Sequence, residues 1–212
     1  MTDTSDACGT ITKQHIAKKV LKKHGENIKM ISKEYQEVLS LIHSGTKFGK
    51  RSKIPEHLKK FISKNHIRSM IDFGCGKGQL IDVLKHNYPT IDIMGYDPCN
   101  PKFNVPLKKV DLIFSTDVLE HIEPNHLDKT LQEIKEHSDY VYHLISCAPA
   151  KLILPDGRNA HLIQQEPEWW KQKHLDLGYE ILKEEYRSFS KYSKQLGRSI
   201  PVKNYFIMAK LT

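Results

Sequence analysis

The sequence predicts an α/β fold: a mainly parallel sheet flanked by helices, closed by an antiparallel edge hairpin and preceded by a helical N-terminal extension. Three observations predict it. From residue 67 to about residue 147, short apolar runs alternate with helix-length segments, and parallel strands joined by crossover helices produce that alternation. The tail differs, with two strand-like runs, Tyr179–Phe189 and Tyr205–Lys210, joined by a Gly/Ser/Pro-containing link. The first 66 residues instead repeat apolar positions at helical spacing. A length of 212 residues suits one α/β domain and not two, so the expected division is a basic helical extension over 1–66 and a single structural unit over 67–212.

Each element has its own signal. Ile28, Ile31, Tyr35, Val38, Leu39 and Ile42 recur at three and four, the stripe of an amphipathic helix, and Gly45 is placed to stop it. Thr46 to Lys53 is polar and basic, a loop. Pro55 suits the first turn of a short helix burying Leu58, Phe61 and Ile62. Strands are expected at Ser69–Phe73, Ile91–Tyr96, Val110–Ser115 and Tyr140–Cys147, with helices from Gly78 to His86 and from Asn125 to Glu136. Glu166, Glu168, Trp169 and Trp170 open a further helix and are candidates to wall a substrate pocket.

Composition excludes several classes. With 39 % hydrophobic and 27 % charged residues the chain has enough apolar side chains for a core, unlike a disordered segment. No apolar run approaches the roughly 18 residues of a membrane helix, and MTDTSDACGT at the start lacks the basic-then-apolar order of a secretory signal. Cys8, Cys75, Cys99 and Cys147 form no CxxC pair, against a disulfide framework or thiolate zinc site, so a cytoplasmic protein with no membrane partner is expected. The net charge of +8 is concentrated: residues 1–66 hold 14 Lys/Arg against 6 Asp/Glu, and the remainder holds 19 of each. Such a segment attracts phosphates, RNA among them, or simply solvates helix faces.

The most informative segment is Met70-Ile-Asp-Phe-Gly-Cys-Gly-Lys-Gly-Gln-Leu80. An apolar strand reaches Asp72, and Gly74, Cys75, Gly76 and Gly78 then turn the chain into a helix. Glycines let the backbone approach a ligand closely, and in open parallel sheets ligands bind beyond the carboxyl ends of strands. A dinucleotide prefers G-x-G-x-x-G with its pyrophosphate on the helix N-terminus. Here the spacing is G-x-G-x-G, and the Asp72 carboxylate beside it would repel a pyrophosphate but suits a donor carrying an ammonium and a sulfonium.

This segment resembles motif I of class I S-adenosylmethionine-dependent methyltransferases, of the type 11/12 kind. Asp97 closes the next strand, followed by Pro98, where that family has an acidic residue on the two ribose hydroxyls. Val110-Asp-Leu-Ile-Phe-Ser-Thr-Asp-Val-Leu-Glu-His-Ile122 is similar to the family's fourth strand and its exit, which places Thr116, Asp117 and Val118 beside the methionine part of the cofactor. The resemblance covers about residues 66–150 and implies a Rossmann-like sheet and S-adenosylmethionine as cofactor. One departure is informative. Between Asp97 and Val110 the family has a helix and a third strand, about 25 residues or more, whereas this chain has twelve residues with three prolines. The third strand is therefore expected to be reduced or absent, with Pro98, Cys99 or Phe103 as the replacement lid of the adenine pocket.

Methyl transfer is an in-line displacement, so the protein aligns donor and acceptor and removes a proton. Asp117, Glu120 and His121 share one face if they lie on a helix, and His161 follows in a polar loop expected above the same edge. His121 or His161 as general base is one reading. A divalent metal on Asp117, Glu120, His121 and His161 is a second, similar to small-RNA 3′-terminal 2′-O-methyltransferases and some quinone O-methyltransferases. A third leaves Glu120 and His121 in structural hydrogen bonds. Arg158 and Asn159 either bind an anionic or sugar-like acceptor or shape the turn. The favoured function is O-methylation of a small polar or anionic acceptor, a sugar or phosphorylated metabolite. The alternatives are ribose 2′-O-methylation of RNA held through the basic N-terminal segment, and a non-catalytic S-adenosylmethionine-binding module. The oligomeric state is not legible.

Overall fold

A computed structural model describes residues 30–45, 53–193 and 197–212 of the chain, with backbone only at 43–45. The elements run α1 (Lys33–Gly45), α2 (Glu56–Lys64), β1 (Ser69–Phe73), α3 (Gln79–Asn87), β2 (Asp92–Tyr96), β3 (Val110–Thr116), a 3-10 turn (Leu119–His121), α4 (Pro124–His137), β4 (Ser138–Ser146), α5 (Pro167–Asp176), β5 (Tyr179–Ser193) and β6 (Arg198–Leu211). One six-stranded sheet has the order β2-β1-β3-β4-β6-β5. The first four strands pair in parallel and β6 pairs antiparallel with both β4 and β5. The Rossmann-like sheet with its antiparallel edge is as the sequence predicts. So is the missing strand: residues 98–109 form neither helix nor strand, and β2 is the sheet's outer edge.

The alternation of strand side chains builds two cores. Ile71, Ile113, Val141 and Ile207 face one side, where Leu127, Leu131 and Ile134 of α4 and Trp170 of α5 cover them. Met70, Leu112, Phe114 and Tyr142 face the other, against Leu58, Phe61 and Ile62 of α2 and Leu80, Ile81 and Leu84 of α3. The expected burial of α2 is therefore against the sheet itself. Trp170 is fully buried in the first core, which corrects its reading as a pocket wall, and Trp169 packs against that core while partly exposed.

α1 is placed by a third cluster. Ile31, Tyr35 and Leu39 are buried with Cys99, Leu154 and Ala160, and Val38 and Ile42 pack against them; Ile28 and the loop over 46–52 lie outside the described residues. Ser32 caps the helix, its Oγ accepting the Tyr35 N–H at 3.1 Å. The same residue binds Glu123 at the start of α4, through its N–H (2.7 Å) and its hydroxyl (2.9 Å). Gln36 donates to the Pro98 carbonyl, and Ser40 to that of Cys99 at 3.3 Å. These bonds seat α1 across the carboxyl edge of the sheet, over the short β2–β3 link.

Candidate functional site

The turn after β1 depends on glycine. Gly74, Gly76 and Gly78 have φ of 77°, 56° and 76°, the left-handed region where a Cβ is unfavourable. Space forbids a side chain as well: a Cβ on Gly74 would stand 2.5 Å from Val118, and one on Gly78 would stand 2.5 Å from Phe103. The N–H groups of Gly74 and Cys75 donate to the Tyr96 carbonyl (2.8 and 3.1 Å), tying the turn to the end of β2.

Asp97 completes that tie. Its carboxylate is buried and accepts the N–H of Gly76 on Oδ2 and of Cys99 on Oδ1, both at 2.8 Å. Asn100 donates to the Gly76 carbonyl at 2.7 Å. Phe103 does not line the cleft: it packs against the Gly78 and Gly95 backbone, which corrects its reading as a lid.

These parts bound a cavity of about 500 Å³, within the range of small-molecule sites. Asp72, Gly74, Cys75, Gly76, Asp97, Pro98, Thr116, Asp117, Val118 and His121 all line it, whereas Gly78 serves behind it as the N-cap of α3. Its roof was not read from the sequence. Met30, Ile31, Tyr35 and Leu39 of the α1 segment line the cavity, as does Lys53. The amphipathic stripe showed that one face of α1 is buried, and nothing local showed against what.

Asp117 departs from the helical reading. Its φ of 57° is left-handed, a conformation uncommon outside glycine and more frequent at functional sites, and the helical turn begins only at Leu119. Asp117 consequently stands apart from the group that does converge: one ligand atom each from Glu120, His121 and His161 lie within 4.8 Å of one another. Glu120 is fully buried, its Oε1 accepting the Ser146 N–H at 2.9 Å and its carbonyl the Ile163 N–H at 3.0 Å. The His121 and His161 rings lie edge to face with centroids 4.7 Å apart.

The ring nitrogens of both histidines are assigned by their partners. Nδ1 of His121 meets the Ala160 carbonyl at 2.7 Å and Nδ1 of His161 the Ala148 carbonyl at 2.5 Å. A carbonyl only accepts, so each Nδ1 carries the hydrogen and each neutral ring presents its lone pair at Nε2. Burial pulls the His161 pKa below its usual value, opposed by the Ala148 bond and the Asp117 charge, which keeps that lone pair available at neutral pH. Asn159 holds the loop that carries His161, exchanging two hydrogen bonds of 2.9 Å with Ala150 and accepting the His161 N–H at 2.9 Å. Arg158 pairs with Asp156 and lies over the Tyr35 ring, 5.6 Å from its centroid.

A family described as a methyltransferase domain matches residues 41–188, well over half of the chain. No curated protein matches it. Among solved structures the chain is similar to TehB from Haemophilus influenzae, at 15 % identity and a TM-score of 0.59, covering 76 % of this chain and 64 % of TehB, which is less than two thirds of that protein. It is similar to a protein of echinomycin biosynthesis described in the conversion of a disulfide bond into a thioacetal group (11 % identity, TM-score 0.55, 83 % and 91 % covered). It is also similar to the methyltransferase domain of bacterial CtHen1-CN (16 %, 0.50, 73 % and 96 %). At these identities the likeness is one of fold.

Proposed function

Because the chain belongs to the methyltransferase-domain family and is an S-adenosylmethionine-dependent methyltransferase, we propose that it methylates a hydroxyl oxygen of a sugar or ribose, with a divalent cation held by Glu120, His121 and His161. The cavity fits the donor: among the described residues Asp72, Asp97 and Asp117 line it against one Lys, Lys53, and the glycine turn leaves its backbone bare. In this reading Asp97 takes the ribose hydroxyls, Asp72 and the Thr116–Val118 exit hold the ammonium and sulfonium, and residues 67–212 form the methyltransferase unit, with the 1–66 extension contributing Met30, Ile31, Tyr35, Leu39 and Lys53 to the donor cavity.

The observation that carries the reading is the pair of imidazoles whose Nδ1–H groups are fixed on backbone carbonyls, each ring placing one nitrogen within 4.8 Å of the other's and of a carboxylate oxygen of buried Glu120. Histidine ligands are oriented by that arrangement in metal sites. A bound cation would lower the pKa of an acceptor hydroxyl. Bound S-adenosylmethionine would supply an electrophilic methyl group to that oxygen, and the hydroxyl proton would pass to solvent. Through that cation Glu120, His121 and His161 would hold the acceptor oxygen on the side of His121, which lines the cavity with Asp117.

Treatment with EDTA is expected to abolish methyl transfer to a ribose-containing acceptor and added Mn²⁺ to restore it, with S-adenosylmethionine affinity unchanged by calorimetry. Mn²⁺ titration should show one site that His161→Ala removes. Undiminished turnover after EDTA overturns the metal and leaves an imidazole as general base.

A further inference from the structure

We propose that the outer half of the β5–β6 hairpin docks single-stranded RNA and leads it to the mouth of the cavity; this rests on the hydroxyl-directed reading above and names its substrate class. β4 accompanies β6 only as far as Ser146 opposite Asn204, whereas β5 follows β6 to Ser193 opposite Arg198. The remaining six residues of β6 and their partners form a two-stranded ribbon rising about 20 Å beyond the sheet, at about 3.4 Å per residue. It leaves from the carboxyl end of β4, the edge on which the glycine turn and the β3 exit open. The Cys147 N–H, donating to the Lys203 carbonyl at 2.8 Å, marks its root.

The ribbon carries an unusual set of side chains. From 186 to 203 the sequence has five Lys/Arg and no Asp or Glu. Three aromatic rings are set among them and stand open to solvent, Tyr186 at 42 %, Phe189 at 53 % and Tyr192 at 62 % exposure. Arg187 pairs with Glu185 and Lys203 with Glu166, but among the described residues Lys191 and Arg198 make no ion pair. Directly opposed residues of an antiparallel pair share a face. The register therefore puts Arg187, Phe189 and Lys191 on one face, and Tyr186, Lys203 and Tyr192 on the other.

Cations interleaved with open rings bind a polyanion whose units have flat faces to stack. A bilayer touches one plane, and here both faces are equipped. A second copy of the chain would add along the strand edge, but Pro201, which has no N–H to donate, lies in the stretch of β6 that has only β5 beside it and blunts that edge. A duplex keeps its bases stacked inside. A single strand remains, and the hydroxyl chemistry makes it RNA.

The test is fluorescence anisotropy of a 5′-fluorescein-labelled, 12-nucleotide mixed-sequence RNA with the full chain. Lys191→Glu/Arg198→Glu and Phe189→Ala/Tyr192→Ala should each weaken binding at least tenfold. The salt slope of log Kd should become about 1.4 shallower in the charge variant, two contacts at about 0.7 each. Calorimetry with S-adenosylmethionine, expected within twofold of the unaltered chain, confirms that both variants are folded. Unchanged RNA affinity in both variants, equal affinity for a duplex, or capture of phosphatidylserine vesicles in place of RNA overturns the assignment. If the ribbon variants bind RNA normally while EDTA-sensitive methylation of a sugar hydroxyl persists, the ribbon assignment falls and the hydroxyl chemistry stands. RNA bound through the ribbon but methylated on a base has the opposite meaning.

Discussion

Asp97 joins binding and architecture in one side chain. Two buried backbone N–H groups, of Gly76 and Cys99, end on its carboxylate, and a buried donor left without a partner costs about 1–3 kcal/mol. Asp97→Ala is therefore expected to raise the dissociation constant for S-adenosylmethionine at least tenfold and to lower the melting temperature by several degrees; calorimetry and thermal unfolding check both. A loss of affinity with no loss of stability would mean that the turn keeps its shape without the carboxylate. The glycine turn and Asp97 were legible because a strand end, its turn and the helix start lie in one short segment whose chemistry is local. The place of Asp117 on the cavity wall was legible too, but its separation from Glu120 and His121 was not, because helical spacing from Asp117 to His121 assumes a helix, and the left-handed residue at 117 breaks it. His121 and His161 were named as candidates, but the carbonyls that set their ring nitrogens come from Ala160 and Ala148. No sequence pattern announces a backbone acceptor.

At the scale of elements, α1 is the part that local reasoning could describe but not place. Its stripe predicts a buried face, and only the tertiary fold shows that Ile31, Tyr35 and Leu39 roof the cavity. The missing third strand was legible because twelve residues with three prolines have room for no helix and strand together. The roof it vacates is filled by α1, held through Ser32. Ser32→Ala removes a helix cap worth about 1 kcal/mol together with one of the two bonds to Glu123. The expected result is about fivefold weaker S-adenosylmethionine binding, measured by calorimetry, with the melting temperature nearly unchanged because α2 to β6 build their cores elsewhere. Unaltered affinity would show that α1 contributes nothing to holding the donor.

Across the whole molecule, the sheet encloses two histidines that the proposed chemistry does not use. His143 and His174 are buried, with ring centroids 5.3 Å apart. Burial holds both below the usual imidazole pKa, His143 well below, with His174 adding to the shift. The unfolded chain takes up protons near pH 6.5 that the folded chain refuses, so their contribution to stability is full above that value and is lost as the pH falls. Urea unfolding should show a plateau near pH 7.5 and a loss of about 2 kcal/mol by pH 5.5, two groups at up to about 1.4 kcal/mol per pH unit. A flat profile over that interval would mean that both rings accept protons in place. Neither ring could be called buried from its own segment, since burial here comes from β4, α5 and β5 closing together. The same closeness governs any attempt to rebuild the protein. The room that Gly74 lacks is occupied by Val118, and the room that Gly78 lacks by Phe103, so three stretches far apart in the chain interlock as one piece. A chimera that borrows the bend after the first strand from another methyltransferase must import the residues at 103 and 118 that fit against it, or the graft will jam.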